Sequence, residues 1–349
     1  MKNRAAACAI LVFAALACVG PVSAGEVLVY ITDHVGSSIE AIDPQTNRVV
    51  QVIKDVAVPH GIAFSPDGSR IYVSSEGEEA LQIFDRKTGA VLNKIHLSGL
   101  PNNIAITKDG SRVLVAIRNG KGGIDVVDVV ADKFVKTIPT KAPLHNVYVT
   151  PDGQFAVAGS IVGESLSVID LATDQPAWDL PLGAGARPIA IEANADGSTK
   201  RLFVQLSKFD GFAVVDFAAR KEVQRIKFPG QPSGLTVHEP HASAPSHGIA
   251  IAPDGKTLWA NSNLSNAVYA YELPDLKLIG HVAMPVREVA GKPTPAVPNW
   301  LTFTPDSKRL YVSDFGIDSV SVIDTDAIKE IAVVPVGKAP QRSATLVVQ

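Results

Sequence analysis

Cysteine is nearly absent: the 349 residues contain two, Cys8 and Cys18, both close to the N-terminus. A chain that matures past them has no thiol, which rules out disulfide staples and the Cys-x-x-Cys-His attachment of a covalent haem. A chain of this length buries enough apolar surface to hold together without staples. A basic excess is missing too. Lys and Arg number 32 against 35 Asp and Glu, with no basic tract, so the concentrated positive face that nucleic acid requires is not expected. Beyond the N-terminus no stretch approaches the roughly 18 uninterrupted apolar residues of a spanning helix, and no membrane span is expected. Familiar catalytic signatures are also lacking. There is no Gly-x-Ser-x-Gly elbow, no phosphate-cradling glycine loop and no His-Glu-x-x-His pair, because His238-Glu239-Pro240-His241 has the wrong spacing and a proline.

The N-terminus does contain Lys2 and Arg4, an apolar stretch from Ala5 to Val19, and the small-residue site Val22-Ser23-Ala24. This order reads as a secretory signal, residues 1–24, cleaved after Ala24. The product is expected in the periplasm or secreted, as a monomer. Ala15-Leu16-Ala17-Cys18 faintly resembles a lipoprotein processing site but has Ala where a large aliphatic residue is usual, so lipidation at Cys18 stays open.

The rest of the chain repeats itself. An acid closes a short apolar run seven times, at Asp43, Asp85, Asp128, Asp170, Asp216, Glu272 and Asp324. Turn marks alternate with these acids, among them Ser65-Pro66-Asp67-Gly68, Thr150-Pro151-Asp152-Gly153 and Ala252-Pro253-Asp254-Gly255. A period of about 42 residues holding four short β-rich runs is the mark of a propeller blade. The expected fold is all-β: a single seven-bladed β-propeller of four-stranded antiparallel blades over 25–349. Glu26 to Thr32 matches the second strand of a unit and Ala344 to Val348 the first. One blade should therefore be closed by pairing the N- and C-terminal strands, from 25–57 plus 338–349, which leaves no free sheet edge. The acids and the Pro-Asp-Gly turns read as structural, with carboxylates bonding backbone amides of the next turn.

Spacing singles out the candidate site. From the strand-closing acid to the position before the next inner strand is 17 residues in five units, ending at His60, Asn102, His145, Arg187 and Gln341. It lengthens to 31 at His247 and to 27 at Asn299, which places insertions near 231–246 and 284–298 in one type of loop, on one face. Seven polar residues in matched register at the channel mouth call for solvent or a ligand. Arg187 offers a fork for a carboxylate or phosphate. Asn102, Asn299, Trp300 and Gln341 complete the expected ligand-binding set, with Trp300 either walling a pocket or packing under a lid. His60, His145 and His247, joined by His238 and His241 from the longer insertion, are candidate ligands for a transition metal such as copper, zinc or iron. A histidine at this position equally serves to satisfy backbone carbonyls around a water-filled channel. Loops after the second strand, carrying Asp33-His34, Glu76, Arg118-Asn119, Glu164, Lys208, Asn263 and Asp314-Phe315, should reach the same face.

Val29-Tyr30-Ile31-Thr32-Asp33, Ile71-Tyr72-Val73-Ser74-Ser75 and Leu310-Tyr311-Val312-Ser313-Asp314, each followed by a Val-Ile-Asp-like run such as Val322-Ile323-Asp324, resemble the YVTN family of β-propeller repeats. The resemblance covers essentially all of the mature chain and implies a seven-bladed propeller in an exported bacterial or archaeal protein. It implies little about activity. Related propellers serve as surface-layer modules, binding proteins, lactonase-like enzymes and the propeller domains of nitrous oxide reductase and haem nitrite reductase. The expectation is a binding protein whose mouth takes a small polar or anionic ligand or a transition metal. The alternatives are a metal-dependent oxidoreductase or lactonase-like hydrolase using the same histidines, and a scaffold that docks another exported protein.

Overall fold

The computed structural model describes residues 25–230 and 244–348. Seven four-stranded antiparallel sheets follow one another around an axis, and no helix occurs among the described residues. Six blades run in simple chain order from the inner strand outward: Pro59–Phe64 (β4) to Val91–His96 (β7), Pro101–Ile106 (β8) to Lys133–Ile138 (β11), Asn146–Val149 (β12) to Gln175–Pro181 (β15), Ala186–Ala193 (β16) to Lys221–Lys227 (β19), Ser246–Ile251 (β20) to Lys277–Ala283 (β23), and Pro298–Phe303 (β26) to Lys329–Pro335 (β29). The seventh is composite. Glu26–Asp33 (β1), Ser38–Asp43 (β2) and Arg48–Lys54 (β3) take their inner strand from Pro340–Val348 (β30) at the other end of the chain. The expected closure is therefore present, and the inner strands contact one another in a complete circuit from β4 through β30 and back to β4.

Sequence explains which strand goes where. Second and third strands such as Arg70–Ser75 (β5) and Gly123–Asp128 (β10) are buried along almost their whole length, because both faces pack on neighbouring blades, and they are accordingly rich in Val, Ile and Leu. Outer strands alternate exposed and half-buried positions, as in Arg48–Lys54. The core lies between blades. One cluster joins Trp259 and Val268 of one blade to Phe303, Leu310 and Val312 of the next, and each fully buried side chain of this kind contributes roughly 1.5–3 kcal/mol.

The strand-closing acids bond the following turns as expected. Asp43 accepts the Gln45 amide at 2.8 Å, Asp128 the Val130 amide at 2.9 Å and Asp324 the Ala327 amide at 2.8 Å. The insertion after β23 forms a two-stranded hairpin, Val286–Val289 (β24) with Lys292–Pro295 (β25). Asn266 pins its base, donating to the Met284 carbonyl and accepting from the Val297 amide, both at 2.9 Å. Residues 231–243 of the other insertion, including His238 and His241, lie outside the described residues.

Candidate functional site

In five blades the inner strand is interrupted at the matched position by a β-bulge, in which two residues face one on the second strand. The bulged pairs are His60-Gly61, Asn102-Asn103, Arg187-Pro188, His247-Gly248 and Asn299-Trp300. The composite blade has its own irregularity at Gln341-Arg342, against Thr32 and Asp33. A bulge re-aims side chains that regular pleating would alternate, and here it turns the ring residues toward the axis.

The residue opposite the bulge holds it. Ser74 Oγ accepts the Gly61 amide at 2.7 Å and donates to the Asn102 carbonyl of the next blade. Thr32 Oγ1 accepts the Arg342 amide at 3.2 Å and donates to the His60 carbonyl at 2.9 Å. Ser313 Oγ accepts the Trp300 amide at 2.8 Å and donates to the Gln341 carbonyl at 3.3 Å. These three hydroxyls are the fourth residues of the Tyr-Val-Thr-like runs, which gives the repeat motif a definite role. One side chain ties its own bulge to its neighbour's ring residue. Glycine after the ring histidine has a reason too. A Cβ at Gly61 would lie 2.8 Å from both the Asn102 carbonyl oxygen and the Ile104 nitrogen, and one at Gly248 would lie 2.8 Å from the Asn299 carbonyl oxygen.

All seven register-matched residues line one cavity of about 210 Å³ at the mouth: His60, Asn102, His145, Arg187, His247, Asn299 and Gln341. His34, Arg118, Asn263 and Phe315 from the second-strand loops join them, together with Ala244 and Val297; Asp33, Glu76, Asn119, Glu164, Lys208 and Asp314 do not. Trp300 is not in this lining. It lines a second cavity among the inner strands, and its ring lies 3.8 Å from the guanidinium carbon of Arg342 and 5.9 Å from the His247 ring.

Arg342 is the residue that spacing does not reveal. It is 1 % exposed and lies under the cavity, with Nε donating to His60 Nδ1 at 3.2 Å and a terminal nitrogen donating to Asn102 Oδ1 at 3.0 Å, while Nη1 has no hydrogen-bond partner among the described residues. The signal lies one residue further along each repeat. The position after the ring residue reads Gly61, Asn103, Asn146, Pro188, Gly248, Trp300 and Arg342, and an arginine among mostly small or compact residues is out of place.

The partners fix the protonation pattern. Arginine only donates, so His60 Nδ1 accepts and Nε2 carries the proton, facing Glu76 Oε1 at 3.6 Å. His247 Nδ1 bonds the Asn299 carbonyl at 3.0 Å, and a carbonyl only accepts, so the proton sits on Nδ1 and Nε2 keeps its lone pair. His145 Nδ1 likewise faces Asn146 Oδ1. Burial, and then the Arg342 guanidinium, hold His60, His145 and His247 well below the ordinary imidazole range, with Arg187 adding to the effect on His145 and His247. They are neutral at pH 7. Burial lowers Arg187 to about 10 and Arg342 to about 9, which leaves both charged. Burial raises Glu76, which Arg118 opposes at 2.6 Å. No carboxylate lines the cavity among the described residues, whereas guanidinium groups flank and floor it.

This arrangement suits a transition metal poorly. The imidazoles fall into two edge-to-face pairs, His34 with His60 and His145 with His247, at 5.9 and 5.8 Å between ring centres, and His60 has its nitrogens committed to Arg342 and a proton. Two buried cations beside them oppose a third charge of the same sign. Among the described residues no three His, Cys, Asp or Glu side chains are set to hold a metal ion.

No protein-family model matches the chain, and no curated protein does. Solved structures do. The periplasmic gluconolactonase of Pseudomonas aeruginosa is similar with a TM-score of 0.71 at 16 % identity, over 93 % of this chain and 99 % of that one. A putative 6-phosphogluconolactonase from Bacteroides fragilis gives 0.71 at 17 % identity, over 94 % and 99 %. Dihydro-heme d1 dehydrogenase NirN in complex with DHE gives 0.61 at 16 % identity, over 92 % and 75 %. These likenesses establish the fold. The YVTN repeat resemblance gains no support from a family model.

Proposed function

We propose that the protein is an exported binding protein whose channel mouth takes a small anion. One observation carries this reading: a concave cavity of about 210 Å³ has Arg187 and the Glu76-paired Arg118 in its wall and Arg342 beneath it, with imidazoles, amides, Ala244, Val297 and Phe315 filling the remaining positions and no carboxylate among the described lining residues. Burying the Arg342 guanidinium against a neutral imidazole and an amide is costly, and an anion from solution offsets that cost. Export rests on Lys2, Arg4 and the apolar stretch before Ala24, and the Pseudomonas neighbour is itself described as periplasmic. Isothermal titration with small carboxylates and phosphate, on the parent protein and on Arg187→Met, tests the reading. The parent should bind at least one of them, with affinity falling about tenfold or more in the variant, as for loss of a charge-assisted bond. Equal binding by both proteins, or none by the parent, would reject it.

A hydrolytic second reading is favoured by one feature, the neutral His247 with its Nε2 lone pair facing a cationic cavity, and two of the structural neighbours are described as lactonases. Acid release from a sugar lactone, followed at constant pH and compared with His247→Leu, decides it. Loss of turnover in the variant supports hydrolysis. A rate no higher than the spontaneous one removes this reading.

A further inference from the structure

An anion site made only of cations attracts any anion; this one also contains an acceptor fixed in place. The Asn299 carbonyl can only accept, so it holds the His247 proton on Nδ1 and leaves Nε2 as a lone pair in the cavity wall. The His145 ring stands 5.8 Å away, its Nδ1 turned to Asn146, and neither histidine has a hydrogen-bond partner on Nε2 among the described residues. Arg187 lines the same cavity, anchored by a 2.7 Å bond from Nε to Ser207 Oγ.

A ligand that presents acceptors in every direction, such as sulfate, would set its oxygens against that lone pair. A simple fatty acid would satisfy the guanidinium and leave the imidazole nitrogen desolvated without a donor. A molecule with a carboxylate at one end and hydroxyl groups beside it meets both demands. The cavity of about 210 Å³ suits a small molecule.

We propose that the mouth recognises a small hydroxycarboxylate, its carboxylate paired with Arg187 and a hydroxyl donating to Nε2 of His247. This rests on the anion-binding reading above and sharpens it to a ligand class. Recognition of this kind separates a hydroxy acid from its deoxy analogue because the site's own polar atom goes unpaired when the hydroxyl is missing.

Isothermal titration with three probes, glycerate, butanoate and sulfate, on the parent protein and on His247→Leu provides the test. The parent should bind glycerate about tenfold or more tighter than either butanoate or sulfate, the discrimination expected of one buried hydrogen bond. In His247→Leu, which keeps the bulk and removes the acceptor, glycerate should fall to the level of butanoate. Butanoate or sulfate binding the parent as well as glycerate overturns the ligand class while leaving the anion site standing. A glycerate preference that survives in His247→Leu overturns the role of the imidazole. Should none of the three bind, the ligand class and the anion reading fall together. The comparison among ligands on the parent needs no variant, so a misfolded His247→Leu would not shelter the proposal.

Discussion

Replacing Asp314 by Asn should change how stability depends on pH. Asp314 ends its blade's second strand and is fully buried; Oδ2 accepts from Ser319 at 3.0 Å and Ser321 at 2.8 Å, while Oδ1 has no partner among the described residues. Burial raises its pKa to about 8, with nearby Glu330 adding to the effect, against the ordinary value of 3.8. The sign follows from proton counting. Between pH 4 and 8 the folded chain holds a proton that the unfolded chain has released, so the stability from the neutral carboxyl is complete below pH 4 and is lost as pH rises toward 8. One pKa unit corresponds to about 1.4 kcal/mol, so raising the pH from 6 to 8 should cost the parent about 2 kcal/mol through this group alone. Asparagine has the shape of the neutral acid and cannot ionise. Urea unfolding at pH 6 and pH 8 should therefore show a shallower decline for Asp314→Asn than for the parent, the two declines differing by about that amount. Parallel behaviour would mean that Asp314 is ionised in the folded protein and would refute the reasoning.

Two further outcomes concern the ring. Gly61→Ala would drive a Cβ to 2.8 Å from backbone atoms of the adjoining blade, which cannot yield like a flexible side chain, and should lower stability by about 2 kcal/mol, read as a shift in the urea midpoint. Ser74→Ala would leave the buried Gly61 amide and the Asn102 carbonyl without their hydroxyl partner, at a cost of about 2 kcal/mol in the same assay; unchanged midpoints would show that the blades are held by packing alone.

Much of the architecture can be read from residues, because a period of about 42 imposes equivalent environments that leave equivalent marks. The strand-closing acids set the register, and counting from them to His60, Asn102 and the rest names the side chains that share the cavity. What counting cannot supply is direction within a bulge. Trp300 follows Asn299 by one residue yet lines a second cavity, because neighbouring residues on the interrupted strand turn different ways. Arg342 follows Gln341 and escapes the count for the same reason. Imidazole chemistry is equally out of reach: matched spacing shows that the histidines share a register and not that an arginine donates to His60. Which atom carries the proton depends on Asn299 and Arg342, residues 52 and 282 positions away in the chain.

The strand from Pro340 to Val348 does two jobs that are separable in principle and joined here. It completes the composite blade by pairing with β1, and the same strand carries Gln341 into the cavity wall and Arg342 beneath the floor. Under the proposed anion binding, occupancy of the mouth and the zipping of the ring would be linked equilibria. A ligand that engages this floor draws free energy toward the joined form, so the toroid should resist opening at its seam more strongly when loaded than when empty.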